Sequence, residues 1–129
     1  MLNTKFFTIL PFLILTSFAL AADRSVVVEG SQIHISESGK GPTVVFESGM
    51  GEDVSTWNDV RPVIAEFAHT LAYDRPGLGQ SEPTSRLRTV VQMAADLHAV
   101  LKAANLTPPY VLVGHCAPLL ERGCWNRPR

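Results

Sequence analysis

Three short apolar segments, each rich in β-branched or aromatic residues, most constrain what this 129-residue chain can fold into. They occupy residues 43–46, 70–73 and 110–113, and a polar loop containing glycine follows each of the first two. Continuous apolar runs of this length are typical of strands buried on both faces of a parallel sheet. The sequence therefore predicts an open, mostly parallel α/β sheet whose strand ends bring several loops to one edge.

Two segments between these runs predict the helices that connect parallel strands. Residues 89–104 carry apolar side chains at three- and four-residue spacing, which is the pattern of an amphipathic helix. A second helix is predicted to end near Phe67, with Asn58 or Asp59 as its N-cap and Pro62 in its first turn.

A β-hairpin is predicted ahead of the first apolar segment. Residues 25–29 and 32–37 are β-prone and are separated by Gly30-Ser31, a pattern that favours a hairpin at the edge of a sheet. Ile33 and Ile35 share one face of the second strand. His34 then points to the opposite face, where we expect it to be exposed to solvent.

The first 21 residues have the pattern of a secretory signal peptide rather than of a folded element. Lys5 precedes a nearly continuous apolar stretch, and Ala19-Leu20-Ala21 has the small-x-small form of a cleavage site. The alternative is a retained membrane anchor, but a spanning helix needs about 20 apolar residues and this stretch is shorter and contains Pro11. We therefore expect a secreted or periplasmic protein that does not bind the membrane once the signal is removed.

Charge and length limit what remains after residues 1–21. The chain carries 11 Lys and Arg against 12 Asp and Glu, a formal net charge of −1, so it has no basic surplus for binding nucleic acid. Residues 22–115 form the predicted N-terminal part of one domain. Residues 116–129 form an atypical tail rich in arginine, with no recognisable strand.

The glycines in the loop after the first apolar segment raise the question of a nucleotide-binding site. Gly49-Met50-Gly51 begins like a dinucleotide-binding fingerprint, but Val54 stands where the third glycine is needed. No Walker-type Gly-Lys-Ser or Gly-Lys-Thr sequence is present either. We therefore predict no cofactor, and the sequence shows no cluster of metal ligands.

Three motifs make the chain resemble the α/β-hydrolase superfamily from about residue 25 to residue 115. They are TVVFESGMG (43–51), YDRPGLGQS (73–81) and YVLVGH (110–115). The resemblance implies a Gly-x-Ser-x-Gly elbow that holds a nucleophile at the sheet edge, with backbone amides forming an oxyanion hole. By position, Cys116 occupies the nucleophile slot, and the amides of Met50 and Ala117 are the oxyanion donors. Asp74, Arg75 and His115 are expected to have structural roles.

The chain departs from this family pattern after His115. Cys116 replaces the usual serine, although a thiol depends least on a neighbouring base, and Pro118 stands where the elbow needs a small residue. Beyond Cys116 there is one acid, Glu121, and no histidine, whereas the family places its acid and then its histidine after the nucleophile. We therefore expect a catalytically incomplete chain, shortened by a frameshift or in evolution. Whether Cys116 pairs with Cys124 in a disulfide stays open.

The expected function follows from the resemblance. It implies hydrolysis of a small-molecule ester or acyl compound through a covalent intermediate. The alternative is a secreted, non-catalytic binding or interaction protein on the same half-hydrolase scaffold. Because few helices are available to cover the apolar strands, self-association or a complementing chain is expected as well.

Overall fold

The computed structural model describes residues 21–115, which form a five-stranded mixed sheet with helices on both faces. The strands are β1 (Ala22–Val28), β2 (Ser31–Ser38), β3 (Thr43–Glu47), β4 (His69–Tyr73) and β5 (Tyr110–Gly114). The helices are a 3-10 helix (Val54–Trp57), α1 (Arg61–Ile64) and α2 (Val90–Ala103).

The strand order β1-β2-β4-β3-β5 confirms the predicted open α/β sheet with a hairpin at one edge. The hairpin strands β1 and β2 are antiparallel, and β2 joins β4 antiparallel as well. The pairs β3–β4 and β3–β5 are both parallel. The carboxyl ends of β3, β4 and β5 therefore lie at one edge, and their loops meet there.

Helix α2 covers one face of the sheet and forms the larger part of the core. Thr89 caps it, since the Thr89 hydroxyl accepts a hydrogen bond from the Gln92 amide, and Ala104 ends it. These bounds confirm the helix that the apolar spacing predicts. The helix and strands bury a common set of apolar side chains: Val26, Val28, Ile33, Ile35, Val45, Leu71, Tyr73, Leu97, Val100, Leu101 and Ala104.

The opposite face is covered by the 3-10 helix and α1, where a single longer helix was predicted. Asp53, not Asn58 or Asp59, is the capping residue, since its side chain accepts from the Ser55 amide. Helix α1 has only four residues and no side-chain cap, although Pro62 does lie in its first turn. The prediction of the cap was wrong because Asp53, five residues before Asn58, caps a tighter 3-10 helix ahead of α1.

His34 is buried rather than exposed, which corrects the prediction for β2. It does point away from Ile33 and Ile35, but only 4% of its surface is accessible. The loop after β4 lies over it, and Ser81 accepts a hydrogen bond from the His34 amide at 2.9 Å. The alternation of β2 correctly predicted the face; it could not predict that a distant loop covers that face.

Strand β5 is less covered than its apolar sequence suggested. Within residues 21–115 it pairs only with β3, so it forms an edge of the described sheet. Val111 is 56% exposed and Leu112 is 43% exposed. In the described part of the structure, β5 is therefore an edge strand with exposed apolar side chains. None of the described helices is long and apolar enough to cross a membrane.

Candidate active site

Ser48 and Trp57 link the loop after β3 to its surroundings through two hydrogen bonds and a ring contact. The Ser48 hydroxyl donates to the Asp53 carbonyl at 2.9 Å and accepts from the indole Nε1 of Trp57 at 3.0 Å. The Trp57 ring packs on Phe46 with their centroids 5.0 Å apart. Because Phe46 belongs to β3, the tryptophan links the strand to the turn that follows it.

Within this loop the amide of Met50 is left available at the sheet edge. The Gly49 amide donates to the Glu52 carboxylate at 2.8 Å, and the Glu52 amide donates to the Gly49 carbonyl at 3.2 Å. No residue in the range 21–115 accepts a hydrogen bond from the Met50 amide. The residue as a whole is 69% exposed. An oxyanion donor requires an N–H with this freedom; the assignment of Met50 stays a prediction.

Glu52 and His115 join the end of β5 to the same loop. The Nδ1 of His115 lies 3.1 Å from the Glu52 carboxylate, and the His115 amide donates to the Glu47 carbonyl at 3.2 Å. A side chain at Gly49 would collide with both residues, because its Cβ would lie 2.7 Å from the Glu52 carboxylate and 2.8 Å from the imidazole. These contacts agree with the structural role expected for His115.

The hydrogen bond from Gly49 is the largest cause of a lowered pKa at Glu52. The charge of His115 and its hydrogen bond act in the same direction, while desolvation opposes them. Glu52 is therefore a carboxylate that the site holds in its charged form.

Arg75 is buried beneath the loop after β3 and does not face solvent. It donates a hydrogen bond to the Gly49 carbonyl, and its Nη1 lies 3.7 Å from the Glu47 carboxylate. Tyr73 donates its hydroxyl proton to the same carboxylate. Burial, together with the charge of Glu47, raises the pKa of Tyr73 well above its ordinary value. Arg75 is itself buried, in keeping with its expected structural role.

Asp74 ties the loop after β4 to two other parts of the chain. Its carboxylate accepts from His34 Nδ1 at 2.8 Å, from the Val54 amide at 2.8 Å and from the Gln80 amide at 2.9 Å. Only 1% of Asp74 is accessible. A Cβ at Gly79 would lie 2.2 Å from this carboxylate, so only glycine fits beside it. Asp74 is thus a structural junction, as expected, with His34 as a partner that sequence reasoning missed.

A pocket opens at this edge, between the loop after β3 and the N-terminal part of α2. Its lining combines apolar side chains with three arginines: Met50, Gly51, Arg75, Pro76, Thr84, Arg86, Leu87, Arg88, Gln92, Met93 and Asp96. Sequence reasoning predicted Met50 as an oxyanion donor but did not predict this pocket, and it missed the contribution of Thr84, Arg86, Leu87 and Arg88. Those residues lie in a segment without strand or helix periodicity, so no pattern marked them.

Two of the three predicted catalytic groups fall outside the described residues. Cys116 and Ala117 follow His115, the last residue described, so only Met50 can be placed. Among residues 21–115, no group of three or more His, Cys, Asp or Glu side chains could hold a metal ion.

Comparison with known proteins gives one matching family and several similar proteins. The family described as alpha/beta hydrolase fold matches residues 42–117. YqjL of Bacillus subtilis strain 168 is 31% identical over 105 residues, which cover 80% of this chain and 42% of YqjL. RutD of Escherichia coli O9:H4 strain HS, which carries the name of a carbamate hydrolase, is 37% identical over 75 residues, 57% of this chain and 28% of RutD.

The chain is also similar in structure to a solved enzyme. The haloalkane dehalogenase DatA of Agrobacterium tumefaciens C58 superposes with a TM-score of 0.67 at 27% identity, covering 74% of this chain and 32% of DatA. The chain therefore spans less than half the length of each of these proteins.

Proposed function

The chain belongs to the α/β-hydrolase fold family, and on this premise we propose that it acts on small-molecule esters or related acyl compounds through a covalent acyl intermediate. The observation that carries the proposal is that the Met50 amide has no acceptor among the described residues and that Met50 lines the pocket at the sheet edge. The hydrolase relatives favour this function over a non-catalytic binding protein.

Each proposed catalytic group has a defined part in the reaction. The Cys116 thiolate attacks the carbonyl carbon, and the amides of Met50 and Ala117 donate to the oxyanion that develops. The tetrahedral intermediate collapses, the bond to the leaving alkoxide breaks, and the alkoxide takes a proton from water. Water then hydrolyses the thioester, releasing the acid and restoring the thiol.

We expect the 129-residue polypeptide to complete the first of these steps better than the second. A thiol has a few per cent thiolate at neutral pH and can attack without a base. Hydrolysis of the thioester needs a base to activate water, and residues 117–129 contain one acid, Glu121, and no histidine. The expected result is acylation of the chain with slow turnover.

A chromogenic short-chain ester tests this proposal under reducing conditions, in which both cysteines are thiols. We expect release of one chromophore per chain, followed by a slow or absent steady rate. Cys116→Ala removes this burst, and Cys124→Ala, the matched control, retains it. A burst that survives in Cys116→Ala contradicts the nucleophile assignment, and rapid steady turnover in the wild type contradicts slow hydrolysis of the thioester.

The proposal includes export of the protein. Support comes from the charged, apolar and small-residue pattern of residues 1–21. Mass spectrometry of the protein expressed in a bacterial host tests it, because cleavage leaves a chain that begins at Ala22. An intact N-terminus in the exported fraction contradicts this assignment.

A further inference from the structure

The pocket beside Met50 contains one arginine whose charge is not balanced by the described residues. Arg75 lies 3.7 Å from Glu47, and Arg86 lies 3.0 Å from Asp96. The side-chain amide of Gln92 also donates a hydrogen bond to the Asp96 carboxylate at 2.8 Å. Among residues 21–115, by contrast, no carboxylate forms an ion pair with Arg88.

Arg88 is nevertheless held at the rim of the pocket. Its Nη2 donates to the Pro76 carbonyl at 3.0 Å. The same nitrogen lies 3.0 Å from the position that a Cβ on Gly77 would occupy, so the absence of a side chain there makes room for the guanidinium. A single carbonyl uses one of the five N–H donors of an arginine. The remaining donors can bind a ligand.

The rest of the pocket provides apolar contacts. Leu87 is 81% exposed and Met50 is 69% exposed, and both line the pocket together with Met93. Flexible methionine side chains adapt to ligands of varied shape. One end of a ligand would thus meet apolar side chains and another would meet the guanidinium.

From this arrangement we propose that the pocket binds acyl compounds that carry a carboxylate, with Arg88 as the residue that recognises the anionic group. The inference rests on the proposed function, since Met50 would hold the reacting carbonyl while Arg88 holds the carboxylate of the same molecule. A guanidinium matches a carboxylate through two parallel hydrogen bonds, and such charge-assisted bonds are the stronger ones.

Isothermal titration with hexanoate and with hexanamide tests the anion preference, because the two ligands differ in charge but share their apolar chain. At low ionic strength we expect the wild type to bind hexanoate at least about tenfold more tightly than hexanamide. Arg88→Gln should remove this preference. Lys102→Gln, which removes an exposed cation from the last turn of α2, is the matched control and should retain it.

Several outcomes overturn the inference. Equal binding of the two ligands by the wild type, no binding of either, or a preference that persists in Arg88→Gln each contradicts it. The ester burst separates this failure from that of the proposed function. Hexanoate binding without acylation contradicts only the function, and acylation without anion preference contradicts only the role of Arg88.

Discussion

Asp74 joins three parts of the chain through one buried carboxylate. Its partners are His34 in β2, the Val54 amide at the start of the 3-10 helix and the Gln80 amide in the following loop. Replacing it removes an acceptor from three donors, and each buried donor left unpaired costs about 1–3 kcal/mol.

Asp74→Ala is therefore expected to lower the free energy of unfolding by about 3 kcal/mol or more. Urea denaturation at pH 7 measures the change. Asp59→Asn is the control, because Asp59 is exposed and its substitution should change stability by less than about 0.5 kcal/mol. A loss below about 1 kcal/mol for Asp74→Ala would show that the junction is not important for stability.

Gly79 allows a separate test of the same junction. Its φ of +50° and the 2.2 Å approach of a Cβ to the Asp74 carboxylate combine backbone strain with a steric clash. Gly30 also has a positive φ, of +87°, but a Cβ there would meet nothing within 4 Å.

Gly79→Ala should therefore destabilise the protein clearly more than Gly30→Ala, which carries only the backbone cost of about 1 kcal/mol. Thermal unfolding of the two variants compares them directly. Equal melting temperatures would mean that the loop moves away from the carboxylate without cost.

The lowered pKa of Glu52 makes the contribution of the candidate site to folding stability depend on pH. Its folded-state pKa is lowered from 4.5, mainly by the Gly49 hydrogen bond and further by His115. A lowered pKa means that this carboxylate stabilises the folded state above the unfolded pKa, and that the contribution is lost as pH falls through the folded pKa.

We expect an NMR titration that follows the side-chain carboxyl carbon of Glu52 to place its pKa below 4.5. His115→Gln should raise that pKa only in part, since the larger cause is the Gly49 amide. Glu52→Gln should weaken the acid-induced loss of stability below pH 4.5. A Glu52 pKa at or above 4.5 in the wild type contradicts this account.

At the level of single residues, the sequence predicts which face of a strand a side chain lies on better than it predicts whether that side chain is buried. Residue alternation in β2 correctly separated His34 from Ile33 and Ile35. The burial of His34, however, depends on Asp74 and Ser81, which lie 40 and 47 residues away. Contacts at such separations leave no periodic signal in the sequence, and this is why the residue was expected to be exposed.

Among the elements, α2 was the most predictable because its own apolar spacing defines both its length and its buried face. The connection between β3 and β4 was less predictable, since Asp53 starts a 3-10 helix before the expected helix begins. Short helices with few turns depend on local caps and tertiary contacts rather than on periodicity.

The cap of α2 can be tested directly. Thr89→Ala removes the acceptor of the Gln92 amide, whose hydrogen bond is 3.1 Å long, and should cost about 1 kcal/mol of stability. Thr107→Ala, at an exposed position outside the helix, is the control and should have little effect. Chemical denaturation measures both, and equal costs would show that the Thr89 hydroxyl does not cap the helix.

For the molecule as a whole, the exposed apolar residues of β5 are the main reason to expect self-association. An edge strand with unpaired backbone groups and apolar side chains recruits other chains. We therefore expect the 129-residue polypeptide to sediment as an oligomer at micromolar concentration.

Leu112→Lys places a charge on this edge and should shift the protein towards monomer. Val63→Lys is the control, since Val63 is 57% exposed but belongs to α1 rather than to an edge strand. Sedimentation velocity distinguishes the two. A wild-type monomer, or an equal effect of both variants, would rule out β5 as the association surface.

The contact between Trp57 and Ser48 has a practical consequence for following events at the pocket. The indole is buried against Phe46 and donates to a hydroxyl in the loop that carries Met50. Its emission wavelength and intensity should respond when that loop changes its polarity or position. Because Trp125 is the other tryptophan in the chain, a Trp125→Phe background would turn Trp57 into a built-in optical reporter of ligand arrival at the loop that carries Met50.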